Sequence, residues 1–258
     1  MRKLLCSVFV MVCFATSFVH PTAPQAQDVS AAERAEIEQI VREYILSHPE
    51  IIPEAIEIWQ RDQQALRDQE VKKALIANKS RMEADGFSLV LGNPQGDVTI
   101  VEFFDYRCPY CVRAHKDMDR LLSEDPGVRL VLKQYPIKDE PGKAPASSTA
   151  ARVMTVATKI NPLLASVLHG KLYEFAGNFE IEDVMNSAAS VGFDMTQLQA
   201  ELIKPWVIEN LRDNFALARE LEVTGTPAFF IGDQILRGAM GYDAMKDAVA
   251  QSRAKSSD

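Results

Sequence analysis

Cys108 and Cys111 stand three positions apart where an apolar strand gives way to a helix, and that junction limits the fold more than any other feature of the chain. The run Val98-Thr99-Ile100-Val101-Glu102-Phe103-Phe104 before the pair is β-branched and apolar on both alternating faces, as in a strand buried on both sides. After the pair, Val112, His115, Met118, Asp119 and Leu122 recur at helical spacing. Strand, short loop and helix therefore set Cys108 at a helix amino terminus. Unpaired backbone N–H groups and the helix dipole stabilise a thiolate there. The spacing predicts an exposed nucleophile at Cys108 and a resolving thiol at Cys111, turned toward the body of the domain. The other two cysteines, Cys6 and Cys13, lie in an amino-terminal run that reads as an export signal, so the mature chain keeps one redox pair and no disulfide framework.

Glu102 shares a strand face with Val98, Ile100 and Phe104, where a carboxylate is costly. Burial raises the pKa of such a group, which could then take a proton from Cys111 and return it. The bland alternative is a carboxylate that finds water at the strand's end. Far downstream, Val223-Thr224-Gly225-Thr226-Pro227-Ala228-Phe229-Phe230-Ile231 places a proline at the head of an apolar strand, a candidate cis peptide. Gly232-Asp233 then reads as a hairpin turn into Gln234-Ile235-Leu236.

Arg2 and Lys3 precede an apolar run from Leu4 to Val19, the form of a secretory signal (residues 1–26, cleaved near Ala26) and of export to the periplasm. The formal net charge is −8, with no basic stretch, which argues against nucleic acid as a partner. Residues 28–86 read as a helical segment. Ser30-x-x-Glu33 is a capping box, Ile37, Ile40, Val41, Tyr44 and Ile45 form one apolar face, and His48-Pro49 ends the first helix. A second helix is expected from Pro53 to about Asp85, apolar at Ile51, Ile52, Ala55, Ile56 and Trp59. From Gln60 to Lys73 it is nearly polar all round, with Glu57/Arg61 and Asp68/Lys72 able to pair, so it is expected to bridge through solvent. Its apolar start needs a partner, and copies of the same chain are the simplest one; the bland alternative is a monomer in which these helices fold back onto the rest of the chain. Residues 143–222 are helical in pattern, broken at Asn-Pro, Gly-Asn and Gly-Phe-Asp, with Met154, Met185 and Trp206 expected in the core.

Taken with Gly92-Asn93-Pro94, Lys133-Gln134-Tyr135-Pro136 and Gly225-Thr226-Pro227-Ala228, the Phe-Asp-Tyr-Arg-Cys108-Pro109-Tyr110-Cys111 motif resembles the DsbA-like family of the thioredoxin superfamily, over residues 91–258. The layout is similar to the oligomeric suppressor-of-copper-sensitivity C type. The resemblance implies an α/β thioredoxin fold with a helical domain inserted at about 143–222, preceded by a helical oligomerisation segment that makes a trimer. It implies an enzyme: a protein disulfide oxidoreductase with Cys108 as nucleophile, Cys111 resolving, Glu102 as buried acid, and Thr226-Pro227 as a cis-proline loop that packs beside the disulfide and holds an extended substrate segment. The redox-active disulfide needs no cofactor and no metal. Pro109 and Tyr110 tune the pair. Strongly oxidising members have histidine at the Tyr110 position, and threonine before the proline resembles the isomerase and reductase branches, so an isomerase is expected. Such an enzyme acts on unfolded or misoxidised exported proteins and is kept reduced by a membrane thiol reductase.

Two other readings stand beside it. A DsbA-like oxidase would donate its disulfide and be recharged by a membrane oxidase. A copper-tolerance protein would bind Cu(I) through Cys108 and Cys111, with His115 one turn on, though His115 reads more simply as an exposed helix residue.

Overall fold

The computed structural model describes residues 30–255; the export-signal reading, with Cys6 and Cys13, lies outside them. By packing, the chain divides into two units between Arg61 and Asp62.

In the first unit, α1 (Ala31–Ser47) starts at Ser30, whose hydroxyl accepts from the Glu33 amide while the Glu33 carboxylate accepts from the Ser30 amide. That reciprocal box satisfies two of the free donors of the first turn. Helix α2 (Ile51–Ala77) begins here. Within the unit none of α1 is buried, and Ile37, Ile40, Val41, Tyr44, Ile52, Ile56 and Trp59 lie open, the Trp59 side chain 62% exposed.

The second unit is built on a five-stranded sheet. Its strands are β1 (Leu89–Gly92), β2 (Val98–Phe104), β3 (Val128–Gln134), β4 (Ala228–Ile231) and β5 (Gln234–Arg237), in the order β1-β3-β2-β4-β5. Strands β2 and β3 are parallel, joined through α4 (Pro109–Glu124); the other neighbours are antiparallel. Between β3 and β4 come α5 (Ala146–Ile160), α6 (Pro162–Glu174), α7 (Ile181–Ser190), α8 (Met195–Leu202) and α9 (Pro205–Glu220), and α10 (Tyr242–Lys255) closes the chain. This is the thioredoxin arrangement with a helical insertion. The insertion has five helices where the pattern suggested four. Lys204-Pro205 separates α8 from α9, because a proline at the first helical position favours a new start.

Alternation along β2 divides the core. Val98, Ile100 and Phe104 face α4, α10 and the insertion, whereas Val101 and Phe103 face the opposite side with Val131, Phe230 and Leu217. Val71 and Leu75 of α2 and Met82 of α3 (Lys79–Glu83) are buried on that second side. The expectation of a solvent-bridging polar helix is thus corrected for residues 62–77. Two apolar side chains four apart are enough to seat one stripe of the helix on the sheet. Its charges serve that seat: Lys72 lies 3.6 Å from Asp233 rather than pairing with Asp68. The single helix expected to Asp85 ends at Ala77, where the Asn78 side chain donates to the Ala74 carbonyl (3.0 Å) and accepts from Arg81 (2.6 Å).

Pairing sets the position of the site. Phe103 of β2 lies opposite Ala228 of β4 in antiparallel register. The loop leaving β2 and the loop entering β4 therefore emerge at one end of the sheet. At the hairpin into β5, Gly232 has φ +60, and a Cβ there would meet the Ser252 hydroxyl at 2.5 Å, so both conformation and space call for glycine.

Candidate active site

Cys108 is the N-cap of α4, with Pro109 in the first turn, so the helix begins at the sulfur-bearing residue. The expectation of an exposed nucleophile is corrected: Cys108 is only 1% exposed. The Thr226–Pro227 peptide, which is cis, lies against it, and the Cys108 thiol donates to the Thr226 carbonyl oxygen at 3.2 Å. As a thiolate it is held by the Cys111 thiol first, then by Thr226 and the backbone amides of Cys111 and Tyr110, which outweigh the cost of desolvation and bring its pKa down to about 5. In the thiol form the Thr226 hydroxyl is buried without a partner; a thiolate offers it one. Tyr110 stands more than half exposed, with the Arg113 guanidinium 5.2 Å over its ring, and adds no charge to the pair.

Cys111, one turn further in, is wholly buried. Burial, the bond it gives Cys108 and the charge of Glu102 all push its pKa far up. Both cysteines are free thiols in this structure.

Glu102 is 3% exposed, and its Oε1 has no hydrogen-bond partner among the described residues. It therefore does not lie at a solvent-open strand end. Desolvation, with smaller contributions from Cys108 and Asp119, raises its pKa to about 8. A carboxyl group that titrates near neutrality can both accept and return a proton.

The ring cluster that flanks this end of the core was not foreseen from the sequence. Tyr106 and His169 Nδ1 lie 2.7 Å apart, and His115 is stacked on Tyr173 at 4.1 Å between centroids. Burial holds His169 neutral, with a pKa down to about 3. His115, expected as an exposed residue, has its ring mostly covered and its Nε2 3.3 Å from Asp119. The spacing His169/Tyr173, four apart on α6, was visible, but nothing local placed α6 beside the dithiol. Among the described residues no group of three or more His, Cys, Asp or Glu side chains is set to hold a metal ion.

The arrangement pairs an available thiolate with a buried, protonated thiol and an acid. That is the chemistry of thiol–disulfide exchange, in which a mixed disulfide forms and is then resolved.

Comparison with known proteins agrees with this geometry. Residues 99–250 match the DSBA-like thioredoxin domain, and residues 33–65 match the copper resistance protein ScsC N-terminal domain. A thioredoxin-like oxidoreductase from Silicibacter pomeroyi DSS-3 is 37% identical, with a TM-score of 0.63 over 69% of this chain and 98% of that one. The catalytic domain of Proteus mirabilis ScsC is 27% identical, with a TM-score of 0.63 over 71% of this chain and 98% of its own. Disulfide bond formation protein D of Bacillus subtilis is 25% identical over 62% of this chain and 74% of that protein. The chain spans about a quarter of the first curated relatives it matches, such as the Na(+)/H(+) antiporter NhaA 1 of Salinispora arenicola (25% identical; 63% of this chain, 24% of the antiporter). No helix among the described residues is long and apolar enough to cross a membrane.

Proposed function

This chain belongs to the DsbA-like thioredoxin family of thiol–disulfide oxidoreductases, and on that footing we propose that it is a periplasmic protein disulfide isomerase and reductase working from its reduced state. The observation that carries the exchange reaction is the unequal pair: Cys108 at the amino terminus of α4 against the cis Thr226–Pro227 peptide, its pKa down to about 5, beside a wholly buried Cys111 whose pKa is driven far up. Tyr110 before Cys111 and Thr226 before Pro227 tilt it toward isomerisation.

The Cys108 thiolate attacks one sulfur of a substrate disulfide, forming a Cys108–substrate bond and releasing the other sulfur as a thiolate. In isomerisation that thiolate, or another in the same client, attacks elsewhere until a substrate thiolate displaces Cys108, with no net transfer of electrons. In reduction Cys111 passes its proton to ionised Glu102 and attacks Cys108. The substrate leaves with both sulfurs reduced, and Cys108–Cys111 becomes the disulfide. Two electrons have passed to the substrate, so a membrane thiol reductase must return them. Thr226 and Pro227 hold the extended client strand beside the sulfur, and Pro109 and Tyr110 set the turn.

The copies that cover the open apolar face of residues 30–61 are further chains of the same kind, a trimer in this proposal. Several dithiols around one client raise the effective thiol concentration. The amino-terminal leader proposed at residues 1–26 accounts for export.

The depressed pKa of Cys108 also supports a second reading. Stabilising the reduced form makes the disulfide a better oxidant, which suits an oxidase recharged by a membrane oxidase. Scrambled, fully oxidised ribonuclease separates the two. The pre-reduced protein should restore its activity and Cys108→Ser should not. No recovery, with ready oxidation of reduced ribonuclease by the disulfide form, would establish the oxidase instead. Cu(I) binding by Cys108 and Cys111 remains a separate proposal, tested by Cu(I) titration of the reduced protein.

A further inference from the structure

A groove of about 450 Å³ runs beside the dithiol, lined by Tyr110 and Arg113 of α4, by the segment 221–228 that carries Thr226 and Pro227, and by Arg237 at the end of β5 with the residues up to Met240. Its rim is apolar where large side chains are open to solvent. Tyr110 is 55% and Met240 56% exposed, and exposed aromatic and methionine side chains are a feature of recognition surfaces. Its charge is not that of the chain as a whole. Two arginines line it, against one acidic residue, Glu222, on a protein of net charge −8.

Neither arginine is engaged by a carboxylate among the described residues. Arg237 ends β5, the outermost strand, with its side chain exposed, and it takes part in no ion pair there. The Arg113 guanidinium lies 5.2 Å from the centroid of the Tyr110 ring, just before the second cysteine. Some arginines elsewhere are paired, Arg81 with Glu220, Arg120 with Glu124 and Arg253 with Asp97 and Asp125, so what marks Arg113 and Arg237 is their place beside the dithiol rather than their freedom alone. Glu222 stands two residues beyond α9, with φ +53. The groove meets the reacting sulfur at Thr226, whose carbonyl accepts from Cys108, and the Gly238 amide donates to the Pro227 carbonyl, tying the arginine-bearing hairpin to that loop.

We propose that this groove selects, among cysteine-containing client segments, those with a carboxylate a few residues from the reacting cysteine and an apolar side chain between. The apolar residue lies against Tyr110 and Met240, and the carboxylate meets Arg113 and Arg237. At physiological salt the screening length is about 8 Å, so these two charges, and not the distant acidic surface, govern a bound segment. The inference rests on the exchange reaction proposed above and names which substrates it favours.

The test uses the reduced mature protein and short extended peptides whose one cysteine is joined by a disulfide to thionitrobenzoate. Attack by Cys108 on the peptide sulfur forms the mixed disulfide and releases the coloured thiolate. Peptides are matched except for Glu, Gln or Lys two positions after a Cys-Leu step, and hydroxyethyl disulfide, too small to need the groove, gives the reference rate. The glutamate peptide should react about fivefold faster than the lysine peptide at low salt, the difference shrinking at high salt. Charge reversal in Arg113→Glu/Arg237→Glu should invert the order, and Glu222→Gln should widen it, with the reference rate unchanged in both. Equal peptide rates, or an order that survives charge reversal at an unchanged reference rate, overturn the inference. If reversal also lowers the reference rate, the neutral pair Arg113→Gln/Arg237→Gln decides: loss of discrimination supports the proposal and its persistence ends it. Failure of every disulfide to react through Cys108 would instead overturn the proposed function.

Discussion

Glu102 is the residue on which the chemistry and the stability of the fold pull in opposite directions. Its carboxyl is sealed in with one oxygen unpartnered, and its pKa stands near 8 against an ordinary 4.5, chiefly through desolvation. In the unfolded chain the proton leaves near pH 4.5; in the fold it stays until about pH 8. Between those values the folded state binds more protons, so the contribution of Glu102 to stability falls as pH rises and is fully lost above about pH 8. Glu102→Gln removes that liability. In urea unfolding of the reduced protein the variant should match the wild type near pH 4 and exceed it near pH 8, by at most about 5 kcal/mol. A gap that stays constant across that range would show that the carboxyl is already ionised in the fold. The same substitution should slow release of mixed disulfides, because Cys111 then has no base. The sequence made Glu102 conspicuous because a charged residue in an apolar strand is an anomaly any reader can see. The resemblance already set the Thr226-Pro227 loop beside the disulfide; what the local pattern around Cys108 did not show is how fully that loop, 118 residues away, covers the sulfur.

At the scale of elements, the segment joining α2 to β1 is fastened by buried charge. Lys133 on β3 is 1% exposed and bonds Asp85 at 2.6 Å and the Arg81 carbonyl at 2.5 Å, while Arg129 donates to the Glu83 carbonyl at 2.6 Å. Burial pulls the Lys133 pKa down, and Asp85 opposes that. Removing one partner of such a pair strands the other, so Asp85→Ala should cost about 3–5 kcal/mol in denaturant unfolding, whereas replacing both by apolar residues should cost much less. Similar losses for the single and double variants would show that the charges do not depend on each other. The elements themselves were largely legible: β2, α4, the hairpin and the helical insertion each carry a local pattern. What was not legible is docking. Val71, Leu75 and Met82 are too sparse to mark residues 62–83 as part of a core until the sheet that receives them is known. Nor did the sequence show that Lys133, within a motif quoted for the family, would serve this joint.

At the scale of the whole molecule, that docking changes where the chain can be cut. A deletion through Asp85 would remove Val71, Leu75 and Met82 from the core, whereas removing residues 30–61 leaves the larger unit entire. The shorter protein should fold, keep Cys108-dependent exchange with small disulfides, run as a monomer by light scattering and lose most of its ability to unscramble ribonuclease. An unchanged mass would mean that the apolar face of residues 30–61 has no copy against it. The burial of Cys111 has a temporal side as well. In the proposed reaction Cys111 cannot cut the tether to Cys108 while its sulfur keeps its proton, so each client would be held for a dwell time set by that one deprotonation. A client held long enough can sample new pairings before it is let go, and in an assembly of several copies it can be met by a second thiolate while the first still grips it.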